Sequence, residues 1–273
     1  MPELVISRQL QVMGVINTTP DSFSDGGKFD TTEKAFIHAQ QLISQGVDIL
    51  DVGGESTRPG SQQVNLQQEL ARTLPLISAI REISDIPISI DTNKIAVMQA
   101  AVEAGATIIN SIWALRLEDS LAAAAELKIP VCMMHMQGTP ETMQANPVYS
   151  DVVVEVMDFL SQRIDAAIDA GIARDKIIID PGFGFGKTLQ HNLLLLEALP
   201  RFRQLGVRLL VGMSRKKMIG YILDKPVDQR LHGSVSAAVM AAMLGADIIR
   251  VHDVAETVDA IAMVKALGAL KHE

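Results

Sequence analysis

The stretch "AGATII", residues 104–109, places a glycine shortly before a short apolar run. The same arrangement returns as "QGVDIL" (45–50), "AGIARDKIII" (170–179), "LGVRLL" (205–210) and "LGADII" (244–249). Glycine commonly ends a helix, and a short run rich in β-branched residues is typical of a buried strand. The stretch therefore predicts a unit of helix and strand that repeats along the chain.

Apolar runs of this kind occur eight times. They are "VMGVIN" (12–17), "DILDVGG" (48–54), "PISIDT" (87–92), "TIINS" (107–111), "PVCMMH" (130–135), "KIIIDPG" (176–182), "RLLVGMS" (208–214) and "ADIIRVHD" (246–253). Nearly continuous apolar runs indicate parallel strands that are buried on both faces. Eight units in 273 residues predict a (β/α)8 barrel, with a doubly wound open sheet as the alternative. Because no linker or break in composition divides the chain, we expect one domain over residues 1–273.

Composition excludes several classes of protein. The formal charge is −8, and no basic run suggests a nucleic-acid partner. No apolar stretch approaches the roughly 18–20 residues of a membrane span, and the first residues do not resemble a signal peptide. The single cysteine, Cys132, rules out a disulfide framework within the chain. The single cysteine also fits a reducing cytoplasm, so we expect a cytoplasmic protein that binds neither nucleic acid nor membranes.

Polar side chains follow the predicted strands, where a barrel places its active site. In chain order they are Asn17, Asp51, Asp91, Asn110, His135, Asp180, the segment "GMSRKK" (212–217), and Arg250 with His252. Asp91, Asn110 and Asp180 are interpreted as functional, because unpaired polar groups at buried strand ends are unfavourable without a role. Asp51 is interpreted as structural, and Cys132 and Met133 as core residues. His135 fits a buried histidine and a site residue equally well.

The segment "DPGFGFGKT" (180–188) looks like a phosphate-binding loop but does not match one. The P-loop pattern requires a glycine where Pro181 lies, and the dinucleotide pattern requires one where Lys187 lies. The polar side chains at the strand ends, which we call the rim, say more about the ligand. Arg58, Lys216, Arg250 and His252 suit a phosphorylated ligand, and the acceptors suit a flat heterocycle rich in hydrogen-bond donors. There is no His/Cys cluster for a tight metal site, and Mg²⁺ held by Asn17 and substrate phosphates fits better.

Seven segments together resemble the dihydropteroate synthase family of pterin-binding barrels. They are "INTTPDSFSDGG", "DVGGESTRPG", "SIDTNK", "CMMHMQGTP", "DPGFGFGKT", "VGMSRKKMIG" and "IIRVHDV", and they span about residues 12 to 258 in the order of the family. The resemblance implies a (β/α)8 barrel, Mg²⁺ and a homodimer. It also implies that para-aminobenzoate displaces diphosphate from (7,8-dihydropterin-6-yl)methyl diphosphate.

The resemblance also implies roles for individual residues. The pterin would be bound by Asp180, Asn110 and Lys216, with Asp91 near its reacting side. Arg250 would stack on the pterin ring and, with His252 and Asn17, hold diphosphate and Mg²⁺. Two loops would close over the site. The remaining implied residues are Asp21, Ser22 and Phe23 in the first loop, Thr57 and Arg58 in the second, and Phe185 and Ser214 beside Lys216 in the aminobenzoate pocket.

The chain departs from the family pattern at three positions. Ser111 and Trp113 replace an aspartate and an arginine after the fourth strand, and Lys217 replaces a serine near the aminobenzoate carboxylate. Two other functions remain open at this point. One is a pterin-dependent methyl transfer to a corrinoid partner, and the other is a catalytically silent pterin-binding protein.

Overall fold

The computed structural model describes residues 5–7, 9–18, 28–55 and 64–269, and for residues 28–31 it describes the backbone only. Eight parallel strands close into a barrel in which each strand pairs with its neighbours in the chain and β1 also pairs with β8. The strands are β1 Gln11–Asn17, β2 Ile49–Gly53, β3 Ile88–Asp91, β4 Ile108–Ser111, β5 Val131–Met134, β6 Ile177–Asp180, β7 Arg208–Val211 and β8 Ile248–Val251. The predicted (β/α)8 barrel is therefore confirmed, and the open sheet is excluded.

The described part of the chain contains ten α-helices, which lie between and after the strands. They are α1 Lys28–Ser44, α2 Leu66–Ile83, α3 Ile95–Glu103, α4 Ser120–Leu127, α5 Val152–Asp169, α6 Leu189–Glu197, α7 Leu199–Phe202, α8 Lys217–Leu223, α9 Leu231–Met243 and α10 Val254–Ala269. None of the described helices is long and apolar enough to cross a bilayer. The prediction of a single domain over the whole chain stays a prediction.

The glycines of the repeated unit end helical turns, as the sequence predicted. All five have a positive φ, a backbone conformation that glycine adopts without steric strain. They are Gly46 (83°), Gly105 (115°), Gly171 (97°), Gly206 (69°) and Gly245 (102°). Each glycine reverses the chain so that the next strand can enter the barrel.

The inside of the barrel is filled at one level by a layer of apolar side chains. Seven of the eight strands contribute one residue each: Met13, Ile49, Ile108, Cys132, Ile178, Leu210 and Ile248. We call this layer the floor. The outward side chains of the strands pack instead against the helices in a second, larger core. Cys132 in the floor and Met133 in the outer core are both packing residues, as predicted.

Candidate active site

The alternation of side chains along a strand explains which residues enter the barrel above the floor. Residues two positions apart point to the same face of a strand. Moving two positions from the floor toward the carboxyl ends leads from Ile49, Ile108, Ile178 and Ile248 to Asp51, Asn110, Asp180 and Arg250. On β3 the side chain paired in register with Asn110 is Asp91. The barrel thus gathers three acids, an amide and an arginine at one level.

Arg250 is held by two carboxylates. Its Nε donates to Oδ2 of Asp51 at 2.7 Å, and its guanidinium lies 2.6 Å from the same oxygen and 3.2 Å from Oδ2 of Asp91. Asp51 is completely buried, whereas the Arg250 side chain is 23% exposed. Burial alone would lower the pKa of Arg250, but the two carboxylates raise it above its ordinary value. Arg250 is therefore a fixed positive charge that remains accessible from the mouth of the barrel.

Asp51 also orients the amide of Asn110. The Asn110 Nδ2 atom lies 3.3 Å from Oδ1 of Asp51. Because an ionised carboxylate can only accept hydrogen bonds, the amide nitrogen must face Asp51. Oδ1 of Asn110 then points away from Asp51 and is available as an acceptor.

Asp91 lies in an environment that opposes its ionisation. Burial first, and the charge of Asp51 second, raise the pKa of Asp91 to about 7, although Arg250 acts in the opposite direction. Two carboxylates that share one guanidinium repel each other, so the second negative charge is the harder one to form. The charge of Asp91 therefore depends strongly on what binds beside it.

We expect the Asp91→Asn substitution to stabilise the fold increasingly as pH rises from about 4.5 to 7. A raised folded pKa means that ionisation of Asp91 opposes folding, and this destabilisation grows with pH until the folded pKa is passed. Asparagine does not ionise, so the melting temperature of the variant should exceed that of the wild type by several degrees at pH 8. Thermal unfolding across this pH range checks the result, with Asp85→Asn as the control at an exposed acid just before β3. An equal gain at every pH would contradict it.

Asp180 is buried and keeps one oxygen available. Its Oδ1 accepts the backbone N–H of Gly182 at 2.7 Å. Among the described residues, no cation forms an ion pair with Asp180 and no other donor contacts its Oδ2. Burial raises the pKa of Asp180, while the charges of Lys216 and Lys187 and the Gly182 hydrogen bond lower it. Asp180 is thus a buried acceptor that is ready for a ligand.

Lys216 lies between this acceptor and an aromatic side chain. Its Nζ donates to the carbonyl of Phe183 and lies 4.8 Å from the centre of the Phe185 ring. Burial lowers the pKa of Lys216 to about 8, against the attraction of the Asp180 carboxylate. Phe185 packs on a small apolar cluster formed by Ile112, Met134, Met136 and Met143. An aromatic ligand beside Phe185 would therefore contact both an apolar wall and an amine.

His252 is positioned by Ser214. The hydroxyl of Ser214 lies 3.1 Å from Nδ1 of His252 and accepts the backbone N–H of His252 at 3.2 Å. These two contacts fix the imidazole at the end of β8, two residues after Arg250. Ser214, Lys216, Arg250 and His252 therefore come together on β8 and the segment after β7, as the sequence predicted.

Asn17 ends β1 and supplies the kind of ligand that Mg²⁺ prefers. Its amide oxygen is a hard donor, and Mg²⁺ commonly takes one or two protein oxygens together with waters and substrate phosphates. In the described ranges, no three His, Cys, Asp or Glu side chains form a group that could hold a metal ion. The donor set therefore fits a Mg²⁺ ion that arrives with a phosphorylated substrate.

Some predicted residues lie outside the described part of the chain. Thr57 and Arg58 of the second loop, and Asp21, Ser22 and Phe23 of the first, are among the residues not described. Their predicted roles stay predictions.

Three other residues noted in the sequence have structural contacts. His135 packs against Phe159, with 4.9 Å between ring centres, and its Nδ1 lies 2.9 Å from Nζ of Lys187. Burial, with the nearby charge of Lys187, lowers the pKa of His135 to about 2, so the ring is neutral. Ser111 donates to Asn93 and accepts from Leu115, which makes it part of a turn. Trp113 packs on the same cluster as Phe185.

Sequence reasoning missed the contacts of Asp51 with two site residues. Its position inside an apolar run before two glycines predicts a structural residue, and the side chain is completely buried. The barrel places it among the site residues, where it contacts both Arg250 and Asn110. The two-residue spacing between Ile49 and Asp51 indicates that both side chains face the inside of the barrel, but only once the inward face of β2 is known.

Comparison with known proteins agrees with this geometry. The family of pterin binding enzymes matches residues 13–252. The dihydropteroate synthase of Escherichia coli K12 is 51% identical over 260 residues, which cover 95% of this chain and 92% of that protein. The Yersinia pestis dihydropteroate synthase, solved as a sulfonamide drug complex, superposes with a TM-score of 0.91 at 48% identity and covers 96% of this chain and 95% of its own. The Xanthomonas albilineans enzyme in complex with 7,8-dihydropteroate has a TM-score of 0.87 at 45% identity and covers 96% and 95% of the two chains.

The closed barrel and its rim of buried acceptors thus define a pterin-binding enzyme. Within that class, the identity and coverage are sufficient to place the chain more narrowly. It belongs to the dihydropteroate synthase family.

Proposed function

We propose that this chain catalyses the displacement of diphosphate from (7,8-dihydropterin-6-yl)methyl diphosphate by para-aminobenzoate, which gives 7,8-dihydropteroate. The observation that carries the proposal is the pair of buried acceptors, Asp180 and Asn110, at one level of the barrel beside the Arg250 guanidinium. The two acceptors match the donor-rich edge of an amino-pyrimidinone ring, and the guanidinium matches an anionic leaving group.

Pterin recognition follows from the two acceptors. Asp180 offers Oδ2, because Gly182 occupies Oδ1. Asn110 offers Oδ1, because Asp51 holds its Nδ2. Both acceptors are fixed before the ligand arrives, so little ordering is needed when it binds. Lys216 would then contact the pterin from the side of Phe185.

Departure of diphosphate leaves negative charge that must be stabilised. Arg250 holds Asp51 and Asp91 through Nε and one terminal nitrogen, which leaves the N–H groups of its other terminal nitrogen for the diphosphate. His252, fixed by Ser214 at the end of β8, would also lie beside the diphosphate. Positive groups that are already in place act most strongly on charge that develops as the bond breaks.

The pterin methylene becomes electron-poor as diphosphate leaves, which supports an SN1-like displacement. Asp91 in its ionised form would favour this cation, and the arrival of a positive centre should in turn favour ionisation of Asp91. The arylamine nitrogen can then attack without a strong base. The neutral, buried His135 plays no part in this step.

The fit at Asn17 supports Mg²⁺ as the metal of this reaction. Its amide oxygen would hold the ion together with the diphosphate oxygens, and the ion would supply positive charge to the leaving group. Thr57 and Arg58, which are implied by the resemblance, would act from the second loop.

Mass spectrometry of the product tests the proposal directly. The purified chain is incubated with (7,8-dihydropterin-6-yl)methyl diphosphate and para-aminobenzoate, with Mg²⁺ or with a chelator. Dihydropteroate and diphosphate should appear in equal amounts, and far more slowly with the chelator. Binding of the pterin without product would favour the silent pterin-binding alternative, and absence of binding would overturn the assignment of the rim.

We also propose that the chain acts as a homodimer in the cytoplasm. Large apolar side chains are exposed on three consecutive helices: Tyr221 and Ile222 on α8, Met240 on α9, and Met263 on α10. Exposed apolar residues of this size favour association between subunits. The buried thiol of the single cysteine suits a reducing compartment. Light scattering coupled to size-exclusion chromatography measures the mass in solution, and a value near 29.5 kDa would indicate a monomer instead.

A further inference from the structure

The segment Pro181–Lys187, which we call the Gly-Phe loop, has an unusual set of hydrogen bonds. Every backbone carbonyl from Gly182 to Gly186 accepts from a side chain. Lys187 donates to Gly182 and Phe185, Lys216 to Phe183, Gln144 to Gly184 and Tyr149 to Gly186. Most side-chain donors at a protein surface bond to water, so a loop bound in this way is held in one conformation by its surroundings.

Lys187 makes the densest contacts of this set. Its side chain is 4% exposed, and its Nζ lies 2.9 Å from the Gly182 carbonyl, 3.0 Å from the Phe185 carbonyl and 2.9 Å from Nδ1 of His135. The Nζ atom donates to both carbonyls, and Nδ1 of His135 completes three polar contacts around it. Within the described residues, no carboxylate forms an ion pair with Lys187. Its contacts therefore join two points of the Gly-Phe loop to each other and to the end of β5.

The loop needs these hydrogen bonds because its own residues restrict its backbone conformation weakly. Gly182, Gly184 and Gly186 have φ values of 71°, 78° and 62°, and a chain rich in glycine has many other conformations available. At Gly182 and Gly186 a larger residue would also clash with the backbone of the chain after β5. A Cβ on Gly182 would lie 1.9 Å from the carbonyl oxygen of His135, and one on Gly186 would lie 2.7 Å from that of Gln137. The loop packs closely against the backbone after β5, and Lys187 adds a side-chain bond between the two, as Gln144 and Tyr149 do.

The Gly-Phe loop carries the aromatic side of the candidate site. Phe185 presents its ring to Lys216, whose Nζ lies over the ring. Lys187 binds the carbonyls of Gly182 and Phe185. These two residues begin and end the turn that positions the Phe185 ring. Lys187 itself is buried and contacts His135 and two carbonyls of the loop, so its role in the reaction must be indirect.

We propose that Lys187 is a positioning residue for the arylamine substrate: its ammonium group closes the Gly-Phe loop on itself and on β5, and so holds Phe185 in place beside Lys216. This inference rests on the proposed function, because para-aminobenzoate is the ligand whose pocket the loop would shape. Asn110 and Arg250 lie on other strands, and Asp180 precedes the loop and contacts it through the Gly182 N–H, so pterin binding depends on the loop less than the aromatic pocket does.

Substrate-specific kinetics of the Lys187→Met variant test the proposal. Methionine fills similar space but donates no hydrogen bond, so the KM for para-aminobenzoate should rise at least about tenfold. The dissociation constant of the pterin diphosphate, measured by calorimetry without arylamine, should stay within about threefold of the wild-type value. Lys176→Met, at the other end of β6, is the matched control, because among the described residues the Lys176 side chain bonds to the carbonyl of Lys128 alone and should leave both values unchanged.

A second variant covers the case in which methionine prevents folding. Lys187→Gln keeps N–H donors at this position and should give an increase in the KM for para-aminobenzoate between those of the wild type and Lys187→Met. The fluorescence of Trp113, the single tryptophan of the chain, reports on the cluster beneath Phe185 and shows whether each variant is folded.

Three results would overturn the inference. An unchanged KM for para-aminobenzoate in a folded, active Lys187 variant would show that the loop holds Phe185 without the lysine. Equal weakening of both substrates would show a general structural role. Absence of dihydropteroate with the wild-type enzyme would overturn the proposed function first, and the role of Lys187 with it.

Discussion

Asp180→Asn should weaken binding of the pterin diphosphate by at least about 100-fold. The substitution preserves the shape of the side chain and can still accept the Gly182 N–H through its amide oxygen. It replaces Oδ2 with an NH₂ group, which donates where the pterin edge also donates. The ligand would then meet a buried donor in place of a buried acceptor. Isothermal titration calorimetry with the pterin diphosphate, in the absence of arylamine, measures the change.

Stability data separate this effect from misfolding. Burial raises the pKa of Asp180 above its ordinary range, so its ionised form opposes folding at neutral pH. Asparagine removes that charge, and the melting temperature of the variant at pH 7.5 should be no lower than that of the wild type. Asp175→Asn, at an exposed acid just before β6, is the control for both measurements. Pterin affinity within about threefold of wild type would rule out Asp180 as the recognition residue.

Arg250→Met should reduce both turnover and stability. Loss of one preorganised cationic donor commonly reduces kcat by about 10²–10³-fold. Asp51 is completely buried and would lose its ion-pair partner, and breaking such a pair costs about 3–5 kcal/mol. The product assay measures the first effect, and urea denaturation measures the free energy of unfolding.

A double variant distinguishes these two consequences. Arg250→Met with Asp51→Asn removes the unpaired buried charge, so much of the lost free energy of unfolding should return. Turnover should not return, because the diphosphate still lacks its guanidinium. If the double variant were as unstable as Arg250→Met alone, the carboxylate of Asp51 would not be the cause of the instability. If turnover recovered, Arg250 would act only through the fold.

The sequence predicted the barrel well because its signals are local. Each strand is an apolar run, and each of the five glycines before a strand ends a helical turn, as their positive φ values confirm. The residues at strand ends were predictable for the same reason. Asp91, Asn110 and Asp180 follow apolar runs directly, and the carboxyl ends of parallel strands meet at one end of a barrel.

The partners of these residues were less predictable because they come from distant parts of the chain. Arg250 binds Asp51, which is 199 positions away and on a strand that is not its neighbour in the barrel. A nearly continuous apolar run hides which side chains face inward, so Asp51 looked like a core residue of β2. Lys187 follows a glycine, and this pair resembles part of a nucleotide-binding motif. Only the folded loop shows that Nζ of Lys187 contacts three polar atoms of the protein itself.

The floor of the barrel limits how molecules can reach this site. The seven side chains from Met13 to Ile248 are buried and seal the barrel below Asp180 and Asn110. Ligands therefore reach these acceptors from the carboxyl ends of the strands. A heterocycle on Asp180 and Asn110 would lie deeper in the barrel than an arylamine beside Phe185, so we expect the heterocycle to bind first.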